Sequence, residues 1–200
     1  MMTTKTWLLI VIALITLNLA ISLADNNTPN PYPLSAQAKL ENGPLKVYFQ
    51  AVNIPPEDRP PELAYYKGRP VAMVAIMFSG LAEGQEFTYF IHEKPIENND
   101  CNTAGGHWNP KGRDTWSASY RCDARRPGLC EAGDLSGKHG KLKGTGTPQA
   151  PAVTYYDSSL KLTYSRRGML GKSLVVYDSS NKPILCGNII DPSTVAETNS

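Results

Sequence analysis

The side chains able to hold a metal or shuttle electrons are few and crowded together. The chain has three histidines and four cysteines. His107, His139, Cys101, Cys122 and Cys130 all fall between Lys94 and Pro151, His92 stands just before that stretch, and Cys186 lies well after it. Imidazole suits both copper and zinc, and thiolates bind zinc or pair as disulfides. The stretch shows no strand signal, and a loop of that length in a compact domain is usually functional or stapled. A metal or redox site needs this concentration, and a purely structural disulfide loop shows it equally. No C-x-x-C pair occurs, so the cysteines speak for two disulfides rather than a zinc site, with three connectivities open.

The elements that must position these groups read as strands. Lys46–Val52 alternates between prolines, Val71–Phe78 is a nearly continuous apolar run, and Phe87–His92 is aromatic and β-branched. Leu160–Tyr164, Ser173–Tyr177 and Ile184–Ile190 complete the set. No amphipathic pattern sustains three helical turns, and sixteen glycines and sixteen prolines punctuate the runs. The pattern predicts an all-β sandwich or barrel of the Greek-key kind. Pro55–Pro61 reads as a rigid surface loop.

The N-terminus reads as a secretory leader. Lys5 precedes an apolar run from Trp7 to Leu19, and Ser22–Leu23–Ala24 offers small residues for cleavage. Residues 1–24 are therefore expected to be removed, which points to a secreted protein in a disulfide-permissive compartment. Residues 25–35 form a flexible lead-in, and Asn26–Asn27–Thr28 is a glycosylation sequon on Asn26. Residues 36–190 make one domain, and 191–200 a polar tail without the apolar stretch of a lipid-anchor signal. No further segment is apolar enough to span a bilayer, so no transmembrane span is expected after cleavage. The chain carries 20 basic and 18 acidic residues, a balance that speaks against nucleic acid as a partner.

Several motifs in order resemble the copper/zinc superoxide dismutase family over about Lys46–Ile190. They are Gly80–Leu81–Ala82–Glu83–Gly84, Phe90–Ile91–His92–Glu93, Ala104–Gly105–Gly106–His107–Trp108–Asn109–Pro110, Gly133–Asp134–Leu135–Ser136–Gly137, Gly168–Tyr177 and Leu185–Cys186–Gly187–Asn188–Ile189. The resemblance is nearest to the fungal-type secreted, copper-only branch. Glu131 stands where zinc-binding enzymes have a histidine, and only Asp178–Lys182 separates Tyr177 from Pro183, too short for the family's electrostatic loop. It implies a Greek-key barrel, a Cys101–Cys186 disulfide with Cys122–Cys130 as the second, and dismutase chemistry at one copper.

Residue by residue, the carried-over site is incomplete. His92 and His107 stand at copper-ligand positions. Phe90 replaces the first ligand, Tyr177 the last, and Pro183 the arginine beside the metal. Tyr177 could substitute as a ligand only after its phenol ionises. Glu131 is expected to hold His107 by a hydrogen bond, and Asp134, at a zinc-carboxylate position, to brace the loop. His139 is expected to lie outside the metal site, and Trp108 and Trp116 to pack the loop. Tyr155, Tyr156 and Tyr164 are expected on strands, and Arg121, Arg125 and Arg126 in a solvated basic cluster. The expected function is a secreted dismutase-like protein, catalytically degenerate, with a structural or interaction role toward an unknown protein or cell-surface partner. The alternatives are a residual copper-only dismutase and a weak copper binder; zinc is not expected.

Overall fold

The computed structural model describes residues 35–115, 120–147 and 152–196. The expected leader, the Asn26 sequon, nearly all of the lead-in, Trp116 and the last residues of the tail lie outside the described residues.

Alternation turns into layers. The strands β1 (Ser35–Asn42), β2 (Leu45–Asn53), β3 (Ala72–Ser79) and β6 (Val153–Asp157) make one antiparallel sheet in the order β1-β2-β3-β6. The strands β4 (Glu86–His92), β5 (Leu142–Lys143), β7 (Ser173–Tyr177) and β8 (Pro183–Asn188) make the second, in the order β5-β4-β7-β8. Successive side chains on a strand point to opposite faces. In the first sheet Ala38, Phe49 and Ile76 therefore stand in register and face inward, as do Leu40, Val47 and Phe78. From the second, Tyr89 and Ile91 pair with Val176 and Leu174 and meet them in one core. Gln37 and Ile190 exchange backbone hydrogen bonds of 2.9 Å in both directions and join the sheets along one side.

Three regions differ from expectation. β1 was without a strand signal because Ser–Ala–Gln–Ala–Lys–Leu–Glu–Asn has neither β-branched nor aromatic residues; pairing along β2 overrides that weak propensity. Leu160–Tyr164 is not a strand. Leu160 and Leu162 are buried as alternation requires, but the carbonyls of Lys161 and Thr163 accept from the amides of Met169 and Leu170, so the segment folds back on its own loop. The described part of the stretch from Lys94 to Pro151 also carries structure: β5, the short α-helix α1 (Leu135–His139) and the 3-10 turns Cys101–Ala104 and Pro127–Leu129. The Pro55–Pro61 region forms tight turns on which the Arg59 guanidinium donates to the carbonyls of Ile54, Tyr66 and Arg69.

Two disulfides fix the loop. Cys101–Cys186 ties the turn Cys101–Ala104 to β8, and Cys122–Cys130 closes a short loop. Ser173 Oγ donates to the Lys94 carbonyl at 2.7 Å, so the start of the loop is also held on β7.

Candidate metal centre

Because Tyr89 and Ile91 point inward, Phe90 and His92 point outward from β4, and Val175 and Tyr177 do so from β7. The loop lies over this outer face by extending the sheet. The Ile91 amide donates to Gly133 O at 2.9 Å, and Ile91 O accepts from the Trp108 amide at 2.8 Å. His92 and His107 thereby become bridge partners, as do Phe90 and Asp134. The close approach needs glycine at 133: a Cβ there would sit 2.4 Å from Ile91 O.

His92 is buried and has both ring nitrogens engaged. Nδ1 lies 2.9 Å from Gly105 O, which can only accept, so Nδ1 carries the proton. Nε2 is then the lone-pair nitrogen, and it accepts from the Tyr177 hydroxyl at 2.9 Å. Burial lowers the proton affinity of this imidazole, with the Gly105 carbonyl opposing. Burial likewise raises the Tyr177 phenol above its ordinary value, so it stays a donor.

His107 is arranged differently. Its Nδ1–H donates to Glu131 Oε2 at 3.1 Å, leaving the Nε2 lone pair without a protein partner among the described contacts. One imidazole face is covered by the Phe90 ring, 4.2 Å away and within 13° of parallel. The His92 ring stands 5.0 Å off, edge to face. Burial would push Glu131 up, but hydrogen bonds from His107 and Thr115 outweigh it and hold the carboxylate below its ordinary range. Asp134 caps α1, its Oδ1 accepting from the Gly137 amide at 2.7 Å; burial raises its pKa against that bond. An open cleft of about 710 Å³ runs beside these groups, walled by Phe90, Glu93, His107, Tyr120, Glu131 and Asp134.

Among the described residues no three His, Cys, Asp or Glu side chains converge where an ion could sit. His107 offers one nitrogen, His92 has none to spare, Tyr177 is protonated, and Phe90 has no lone pair. Pro183 pairs with Tyr177 at the start of β8 and brings no charge. Lys182 belongs to a tight turn whose Asp178 carboxylate accepts from the Lys182 and Ser180 amides.

The engagement of His92 has a consequence in pH. Its folded pKa lies below the unfolded value of about 6.5, so on acidification the unfolded chain takes up the proton first. Stability is therefore expected to fall as pH drops through about 6.5, and to level once the folded imidazole titrates. NMR titration of the imidazoles checks this: the resonance of His92 should keep the neutral, Nδ1-protonated form to lower pH than a free histidine.

His139 lies away from this centre, its Nε2 2.9 Å from Asp157 Oδ2 and its ring stacked on Tyr155 at 3.7 Å. Trp108 is buried in the core rather than merely lining the loop. Arg125 and Arg126 are paired to Asp123, which reduces the expected basic cluster. The sequence reading missed the Tyr177–His92 bond, the Phe90–His107 stack and the buried Lys138–Asp157 pair. Phe90, His92 and Tyr177 lie on the same face of the sheet formed by β4 and β7, so outward alternation was the available signal.

Fold and site define an all-β Greek-key protein whose disulfide-tied loop presents two histidines over the outer face of a sheet. Residues 63–189 match the family model for copper/zinc superoxide dismutase, and the chain belongs to that family. Among known proteins it is 33% identical over 120 residues to the Candida albicans protein named cell surface superoxide dismutase (Cu-Zn) 4, covering 58% of this chain and 47% of that one. It is 31% identical over 105 residues to the cell surface Cu-only superoxide dismutase 5 of the same organism, covering 52% and 41%. The chain thus spans less than half the length of these relatives. The solved Cu(II) structure of Candida albicans superoxide dismutase 5 superposes with a TM-score of 0.60 at 26% identity, over 80% of this chain and 92% of that one.

Proposed function

We propose that this chain is an extracellular or cell-surface superoxide dismutase-like protein without dismutase turnover, whose barrel serves a structural or interaction role. The observation that carries the reading is the hydrogen bond from Tyr177 to His92 Nε2. It occupies the lone pair through which the more deeply buried histidine would bind metal, and the Phe90 ring stacked on His107 fills space where a further donor would stand. One free imidazole nitrogen is a weak hold for copper in either oxidation state. The cell-surface naming of the relatives supports the location, together with two disulfides, which persist in oxidising compartments.

A second reading, a weak copper binder, is favoured by the free Nε2 of His107 beside the open cleft. Titration of the mature, metal-free protein with copper, followed by a superoxide assay, separates the readings. Neither stoichiometric copper nor turnover is expected under the first. Weak copper without turnover supports the second. Tight copper with fast turnover means an active dismutase and overturns both.

A further inference from the structure

Two loops distant in sequence bring basic side chains to the Trp108 side of the barrel. The Trp108 indole N–H donates to the Arg166 carbonyl at 3.3 Å, and Lys172 Nζ lies 5.8 Å from the indole centroid. Lys111 follows three residues after Trp108. The Lys161 carbonyl accepts from the Met169 amide at 2.9 Å, folding Lys161, Arg166 and Arg167 into one turn. Burial lowers the Lys111 pKa, and the charges of Arg113, Lys138 and Lys161 lower it further.

The patch is not neutralised within the chain. Among the described residues Lys111, Lys161, Arg166, Arg167 and Lys172 make no ion pair, as is also true of Lys39, Lys67, Arg69, Lys94 and Lys182, whereas Lys46, Arg125, Arg126, Lys141 and Lys143 each have a carboxylate. Glu93 acts on Lys172, and Asp157, which is bound to Lys138, acts on Lys111. Tyr164 stands in the same turn, 59% exposed, with its ring against Gly171.

We infer that this face docks an acidic polysaccharide, with Lys111, Lys161, Arg166 and Arg167 on its anionic groups and Tyr164 against a sugar ring. Spaced cations around an exposed aromatic suit a polymer of repeating charge that lies along a surface, and guanidinium groups match carboxylate and sulfate geometry. The choice of a glycan over other polyanions rests on the extracellular reading.

The test is chromatography of the mature protein on immobilised dextran sulfate, with uncharged dextran as control. The protein is expected to be retained at about physiological ionic strength and released as salt rises, as for any contact made through counterion release. Lys111→Gln/Lys161→Gln/Arg166→Gln/Arg167→Gln should weaken binding about tenfold or more, and Tyr164→Ala should weaken it less. Arg125→Gln/Arg126→Gln, which removes cations already paired to Asp123, should leave retention unchanged. Circular dichroism confirms the fold of each variant. No retention, an equal loss in the Arg125/Arg126 control, or tighter binding to duplex DNA or phosphatidylserine vesicles than to dextran sulfate overturns the proposal. Retention involves no metal, so its failure is distinguishable from failure of the copper reading.

Discussion

Replacing Asp157 by asparagine is expected to destabilise the fold by about 3–5 kcal/mol, because it strands a buried cation. The Lys138 side chain is 0% exposed and that of Asp157 4%. The ammonium donates to Asp157 Oδ2 at 2.6 Å, to the Ala132 carbonyl at 2.7 Å and to Ser159 Oγ at 2.8 Å, so all three of its protons are placed. The carboxylate also accepts from the Ser159 amide and hydroxyl and from His139. Burial alone would push Asp157 up, but the Lys138 charge and these hydrogen bonds hold it well below the usual carboxylate range. Asparagine keeps the shape and removes the charge that makes the site tolerable to Lys138.

The same network sets the acid limb of stability. A carboxylate with a depressed folded pKa contributes stability above its unfolded value, about 3.9, and that contribution is lost as pH falls toward the folded value. Wild-type stability should therefore fall steeply below about pH 4, a fall that Asp157→Asn should share only in part, since Glu131 is also held below its ordinary range. Urea unfolding at several pH values measures both. Lys141→Gln provides the contrast: its pair with Glu86 is half exposed on both sides and should cost under about 1 kcal/mol. A loss under about 1 kcal/mol in Asp157→Asn as well would mean that the pair is not buried as described. The network links α1, which walls the cleft through Asp134, to β6 of the opposite sheet. Its loss should therefore loosen the loop as well as the core.

The second large effect is the removal of Cys101–Cys186. The bridge spans 85 residues of sequence, and the loop-closure account puts its contribution at about 4–5 kcal/mol. Cys122–Cys130 spans 8, for which the same account gives about 2–3 kcal/mol. Cys101→Ser/Cys186→Ser should therefore lower the urea midpoint well beyond Cys122→Ser/Cys130→Ser. It should also free the segment that His92 Nδ1 holds through Gly105 O, since that carbonyl directly follows the Cys101–Ala104 turn. The reverse order of the two variants would show that the loop is anchored elsewhere.

What the sequence revealed and what it concealed divide along physical lines. Period-two alternation in Lys46–Val52 survives folding because β2 has one face in the core, and the aromatic and β-branched run Phe87–His92 and the apolar run Ser173–Tyr177 form strands as expected. The strand β1, which carried no strand signal, and the false strand at Leu160–Tyr164 escaped the sequence because their backbone partners are distant or in their own loop, where local composition carries no trace of them. The positions of His92, His107, Phe90, Tyr177 and Glu131 were visible through the family resemblance. The hydrogen bond between Tyr177 and His92 was not: whether Tyr177 reaches His92 depends on how far its side chain leans along the strand. Lys138 and Asp157 read as ordinary loop and strand charges, since burial of a charged pair is a tertiary property.

The central claim is that Tyr177 and Phe90 have taken the places of copper donors. Its most direct test is electron paramagnetic resonance of the mature protein and of Phe90→His/Tyr177→His, each given one equivalent of Cu(II). The wild-type chain should show no stoichiometric copper with imidazole nitrogen couplings, whereas the double variant should gain that signature. One copper held through several nitrogens in the wild-type chain would contradict the account.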